Sequence, residues 1–322
     1  MNPMLLAGTD GYSIWFSDNL GESFNRLMSD AGLYSESRIY AMTSDPADPG
    51  RVLIGTDSGL YQFNVAKSRF NRVESLMNGL SVWSIAFASA DPSLVLAGTR
   101  KPAAVFRSTD GGLTWAGTQA ESVFPQTCAY VITPRVTRIE FSLDNAENTW
   151  ASIELGGVWG STDGGQTWKR RSQGLISEDV HDICHWQGRL FATTNHGLHT
   201  SDDGAETWVR HSLDLPGNQY LRSIHPMRSD PNIMFLGGGD GPPGSIGYLL
   251  RSVDAGISWT RVDLPIEPQS TIYAITSTAS HTSLLFAMST LGQIYRSEDK
   301  GLSWCAMPRR IGAIRSLAMV DK

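Results

Sequence analysis

Several residues in this chain carry the side chains that proton transfer and anion binding require. Glu140, His181 and Asp182 are the catalytic candidates, because a carboxyl or imidazole whose pKa is shifted by burial serves as general acid or base. Arg138, Arg222 and Arg315 offer planar guanidinium forks for a carboxylate or phosphate, and Tyr40, Trp83 and Tyr273 offer ring faces. Arg100, Glu154 and His225 complete the candidate binding set. Two oxygen-rich stretches compete with these: STDGGLTW from Ser108 and STDGGQTW from Ser161 hold carboxylates and hydroxyls that would also suit a catalytic or metal site.

Counting copies decides what those stretches are. The pattern S-x-D-x-G-x-[ST]-[WF] returns, exactly or with one change, as SDNLGESF from Ser17, SDDGAETW from Ser201, SVDAGISW from Ser252 and SEDKGLSW from Ser297, and a decayed copy ends at Phe70. The closing aromatics Phe24, Phe70, Trp115, Trp168, Trp208, Trp259 and Trp304 are separated by 46, 45, 53, 40, 51 and 45 residues, the period of a four-stranded propeller blade. An apolar run such as VLIGTDSG or LFATTNHG precedes each box, and a β-branched or aromatic segment such as VWSIAF, VTRIEF or VHDICH precedes most runs. The first unit lacks such a segment, while IRSLAMV is left over at 314–320. Pairing the two ends closes the circle and removes open sheet edges. The expectation is an all-β chain folding as a single seven-bladed propeller domain over residues 1–322, each blade four-stranded.

In such a blade the box is the hairpin turn between third and fourth strands. Asp110, Asp163, Asp203, Asp254 and Asp299 then accept bonds from nearby backbone N–H groups, glycine supplies positive φ and the aromatic buries its face. An EF-hand is excluded, since the later oxygen ligands and closing Glu are missing. This signature resembles the Asp-box, or BNR, repeat family, which includes sialidases, xyloglucanases, sortilin-type receptor domains and photosystem assembly factors. The resemblance implies a fold and leaves function open. The Arg-Ile-Pro element carried by sialidases is absent here. Asn19, in place of the box Asp, and Ala205, in place of a Gly, predict irregular turns.

Function is then expected on the opposite face. The position after each second strand reads Asp10, Asp57, Arg100, Glu154, Asn195, Gly239 and Thr290, where Arg100 beside Glu154 is either a ligand contact or a surface ion pair. On the inner strands, one column reads Tyr40, Trp83, Thr137, His181, Arg222, Tyr273 and Arg315, and the next reads Ala41, Ser84, Arg138, Asp182, Ser223, Ala274 and Ser316. These rings and guanidiniums either line a site for an anionic or hydroxyl-rich small molecule, or pack between blades and pair with Asp182, Glu140 or Glu154. His181 and His185 lie four apart, about 13 Å along a strand, too far to share one ion, so no metal is expected. The long segment after Trp115 suggests a lid bearing Phe124, Tyr130 and Arg135, and the loop 237–247 offers Asp240 as a ligand contact.

With 26 basic against 32 acidic residues and no basic run, nucleic acid is not an expected partner. The apolar runs are too short for a membrane span, no signal peptide is recognised and Cys128, Cys184 and Cys305 lack CxxC spacing, so the expected address is cytoplasmic, without a membrane partner or cofactor. The favoured reading is a hydrolase or lyase acting on a polar, anionic or glycan ligand. The alternative is a non-catalytic protein-interaction or assembly-factor propeller.

Overall fold

The computed structural model describes residues 3–128, 133–215, 219–278 and 280–321. Within these the chain is all-β, with one short helix, Ala120–Val123, and one 3-10 turn, Ser29–Ala31. Five four-stranded antiparallel sheets form, and an eight-stranded sheet consists of two further four-stranded halves joined where Arg135 pairs with Arg100. In chain order the first strands of the seven four-stranded sets are Ile39–Ser44, Ser81–Phe87, Arg135–Phe141, Val180–Trp186, Tyr220–Pro226, Ile272–Ser277 and Ile314–Val320. The last pairs antiparallel with Met4–Thr9, so the two ends of the sequence share one sheet, as the left-over segment predicts.

Contacts divide the chain into two compact units. One comprises Met1–Ile39, Asn195–Leu198 and Ser212–Lys322; the other comprises Tyr40–Thr194 and His199–His211. In each, the core lies between consecutive sheets, where apolar side chains on facing strands exclude water. In the first unit Leu5, Phe286, Ile294 and Ile314 form one such layer, and Phe235, Leu249, Ile272 and Tyr295 another. In the second, Leu96, Val105, Val136 and Ile153 pack together, as do Trp150, Val180, Leu190 and Trp208. Phe124 belongs to this core: it is buried against Trp159 and Trp168, with ring centroids 5.0 and 5.6 Å away. The segment after Trp115 therefore packs down at Phe124, where a lid was expected; Tyr130 lies outside the described residues.

The boxes are hairpin fasteners. In the copy at Ser161, the Ser161 hydroxyl donates to Asp163 at 2.7 Å and accepts from the Gly165 amide, while Asp163 accepts from the amides of Gln166 and Thr167 and from the Thr167 hydroxyl. Both φ > 0 and lack of space demand glycine at Gly165: φ is +84°, and a Cβ would lie 2.6 Å from Leu96 Cδ1 on the preceding half of the eight-stranded sheet. These bonds favour the ionised carboxylate. Burial is the largest single influence on Asp110 and opposes its ionisation, but the Thr114 hydroxyl and amide, with Ser108 and Leu113, together outweigh it and bring its pKa down to about 2.

The expected irregularity at the altered boxes does not occur. Asn19 accepts from the Ser23 amide at 3.0 Å and Ser17 binds the Gly21 amide at 2.8 Å, because an amide oxygen replaces a carboxylate oxygen without changing the turn. Ala205 keeps the glycine-like backbone at φ 72°, its amide held by Ser201 at 2.9 Å.

Candidate functional site

One structural device recurs on the first strands of these sets. On six of them the register against the second strand skips a residue, and the skipped residues are Trp83, Thr137, His181, Arg222, Tyr273 and Arg315. Each is the extra residue of a β-bulge, which re-aims its side chain out of the alternation of the strand. Where a serine follows, as at Ser84, Ser223 and Ser316, it is buried. Ser84 donates to the Val136 carbonyl at 3.0 Å, and the facing Gly98 leaves the room, since a Cβ there would sit 2.4 Å from Ser84 Oγ.

In the unit formed by residues 40–194 and 199–211, the bulges assemble a linked cluster. Tyr40 stacks on Trp83 at 3.9 Å and 13°, and the Arg135 guanidinium covers Trp83 at 4.0 Å. Tyr40 and Arg135 thus both engage the Trp83 ring, as the packing alternative expects. Arg135 pairs with Glu154 at 2.5 Å, and His181 Nε2 lies 3.4 Å from Asp179. Arg100 donates instead to Thr133 Oγ1 at 2.8 Å: strand pairing sets Arg135, not Arg100, directly opposite Glu154, so the expected Arg100–Glu154 pair gives way.

The catalytic candidates divide between two places. Arg138 lies 3.7 Å from Glu140 and 3.7 Å from Asp182, with the Asp182 carboxylate also accepting from the Ile183 amide. His181, adjacent in sequence to Asp182, joins Asp179 instead, because the bulge separates the two directions. His185 stacks on Trp150 at 5.1 Å; burial lowers its pKa, with Asp144 partly opposing. The wide spacing of the two histidines therefore corresponds to separate environments.

The other unit holds a compact arginine–tyrosine group. Arg222, buried, donates to Tyr273 Oη at 2.8 Å and its guanidinium carbon lies 4.5 Å from that ring. Arg315 approaches the same ring at 5.6 Å and gives Nε and Nη2 to Asp10 at 3.2 and 2.8 Å. Arg38 joins Asp10 at 3.3 Å. Desolvation works against the charge of Arg315, but Tyr273 and Asp10 outweigh it and raise its pKa. Arrayed guanidinium donors beside a phenol constitute chemistry for a planar anion. His225 lies apart, with Nε2 2.7 Å from Ser277 Oγ, and Asp240 is committed to Ser245 and Ile246 within its own loop.

Arg38 and Asp179 were not among the sequence candidates, and Arg135 was expected on a lid and not beside Glu154. All three stand two residues before the bulge column, at Tyr40, Thr137 and His181, so extending the alignment backwards by two positions would have found them.

The family described as photosynthesis system II assembly factor YCF48 matches residues 175–322, a stretch that contains Arg222, Tyr273 and Arg315. Six boxes at blade spacing and sheets to match agree with that likeness. The chain is similar to the BNR-repeat proteins. It is 31% identical over 125 residues to the photosystem II assembly lipoprotein Ycf48 of Synechococcus sp. (strain CC9902), covering 38% of the chain and 35% of that protein. It is 25% identical over 248 residues to a xyloglucanase of Paenibacillus sp, covering 70% of the chain and 22% of the enzyme. The chain thus spans well under half the length of either relative. A solved structure of YCF48 bound to a D1 peptide superposes with a TM-score of 0.59 at 14% identity, over 84% of this chain and 81% of that one, which shows a shared fold. No helix among the described residues is long and apolar enough to cross a membrane.

Proposed function

We propose that this chain is a non-catalytic binding protein that holds a carboxylate-bearing polypeptide segment at Arg222, Tyr273 and Arg315. The observation that carries the reading is the pair of guanidiniums gathered on one tyrosine, within the stretch that matches the assembly-factor family. Arg315 uses two of its five N–H donors on Asp10, and its side chain is 27% exposed, so an incoming carboxylate can reach it. Tyr273 holds the buried Arg222 in place, which lowers the entropy lost on binding.

The competing reading, a hydrolase or lyase acting on a glycan, draws on the xyloglucanase relative. Glycoside hydrolysis asks one carboxyl of a pair to stay protonated as the acid. Arg138 lies 3.7 Å from both Glu140 and Asp182, so a guanidinium stands between the two carboxyls where that chemistry needs the scissile oxygen and its water. The ligand on this reading is an acidic peptide, and the D1 peptide seen with the YCF48 relative is the first probe. Fluorescence anisotropy with the labelled peptide is expected to show saturable binding that weakens with added salt. Reducing-sugar release from xyloglucan together with failure to bind acidic peptides would transfer the assignment to the enzyme.

A further inference from the structure

We infer that Glu154, Asp179 and His181 form a binding site for a divalent metal ion of the zinc class. One ligand atom from each lies within 4.8 Å of the others, and His181 Nε2 and Asp179 Oδ1 are 3.4 Å apart. With metal–nitrogen and metal–oxygen bonds of about 2.0–2.2 Å, the edge of a tetrahedral shell is roughly 3.4 Å, so this pair already stands at the required separation. The Glu154 oxygen needs a shift of about 1 Å, within the reach of a χ rotation at the end of its strand.

The environment supports a specific ion more than a solvated acidic patch. The side chains of His181, Glu154 and Asp179 are 1%, 11% and 20% exposed, which places the donors largely out of water. Imidazole nitrogen with two carboxylates is a borderline donor set, suited to zinc-class ions and poor for calcium, which takes six or more oxygens. The backbone presets the arrangement: His181 is the bulged residue of its strand, Asp179 immediately precedes that strand and Glu154 ends the strand Thr149–Glu154. Arg135, seated over Trp83, binds Glu154 Oε1 and fixes the carboxylate from behind, the role that outer hydrogen-bond partners have at metal sites. Three protein ligands leave a fourth position for water or an exchangeable group. The site lies wholly within the unit formed by residues 40–194 and 199–211, and does not depend on the peptide-binding proposal.

The test uses the full chain stripped with EDTA, then dialysed against Zn(II) or titrated with Co(II) and followed by visible absorption. The inference expects one equivalent bound and the intense absorption of tetrahedral Co(II). His181→Gln and Glu154→Gln should each abolish the Co(II) signal with unchanged far-UV circular dichroism, whereas His185→Gln should retain it. Less than one equivalent in the stripped wild type, a weak octahedral spectrum, or an unchanged signal in both folded variants would overturn it. The wild-type stoichiometry and spectrum decide the question even if a variant does not fold.

Discussion

Arg222 and Tyr273 owe their relation to two contacts that can be separated by substitution. Tyr273→Phe keeps the ring beneath the guanidinium but deletes the acceptor of the 2.8 Å bond, leaving a buried charged donor short of one partner. A loss of about 1–3 kcal/mol in denaturant-monitored stability is expected; no change would mean that the bond contributes nothing. The box carboxylates give a second prediction at this scale. The folded-state pKa of Asp110 is depressed to about 2, so its contribution is present above the unfolded value of about 3.9 and is lost as pH falls through that window. Asp110→Asn should therefore flatten the acid limb of the stability profile between about pH 4 and 2, measured by urea denaturation at each pH. Sequence spacing made the roles of these aspartates legible, because six copies cannot share one site. It could not reveal that Arg135, and not Arg100, meets Glu154, since that depends on cross-strand register.

The bulge is the element that separates what counting could read from what it could not. Columns aligned by residue number do group Trp83, His181, Arg222, Tyr273 and Arg315 correctly, because every copy of the strand carries the same extra residue. Which way each points was hidden, since period-two alternation assumes an unbroken strand. His181 and Asp182 consequently fall into different clusters, and Trp83 is covered by Tyr40 and Arg135, the packing alternative. The box turn is tested by its glycines. Gly165→Ala combines φ of +84° with a Cβ 2.6 Å from Leu96, whereas Gly204→Ala has φ of +73° and nothing within 4 Å. We expect roughly 1 kcal/mol of backbone strain at Gly204 and a further 1–3 kcal/mol of overpacking at Gly165, read from thermal or urea midpoints. Equal effects would remove the contact between the box and Leu96 from the account.

At the scale of the whole molecule, the repeat predicts one domain of seven closed blades, and the pairing of Ile314–Val320 with Met4–Thr9 is the feature through which both ends of the chain contribute to one sheet. Removing residues 314–322 would expose the Met4–Thr9 edge and the apolar layer around Leu5 and Phe286, so loss of soluble folded protein is the expected outcome. A single calorimetric transition would support the one-domain reading, and two separate transitions would contradict it. The central claim concerns function: Arg222 and Arg315 recognise a carboxylate on a peptide. The most direct measurement is a double-mutant cycle by isothermal titration, pairing Arg222→Gln and Arg315→Gln with conversion of the peptide carboxylates to amides. The account predicts that either change alone weakens binding at least about tenfold and that, once one is made, the other costs little, a coupling of about 1.4 kcal/mol or more. Fully additive losses, or binding indifferent to both arginines, would contradict it.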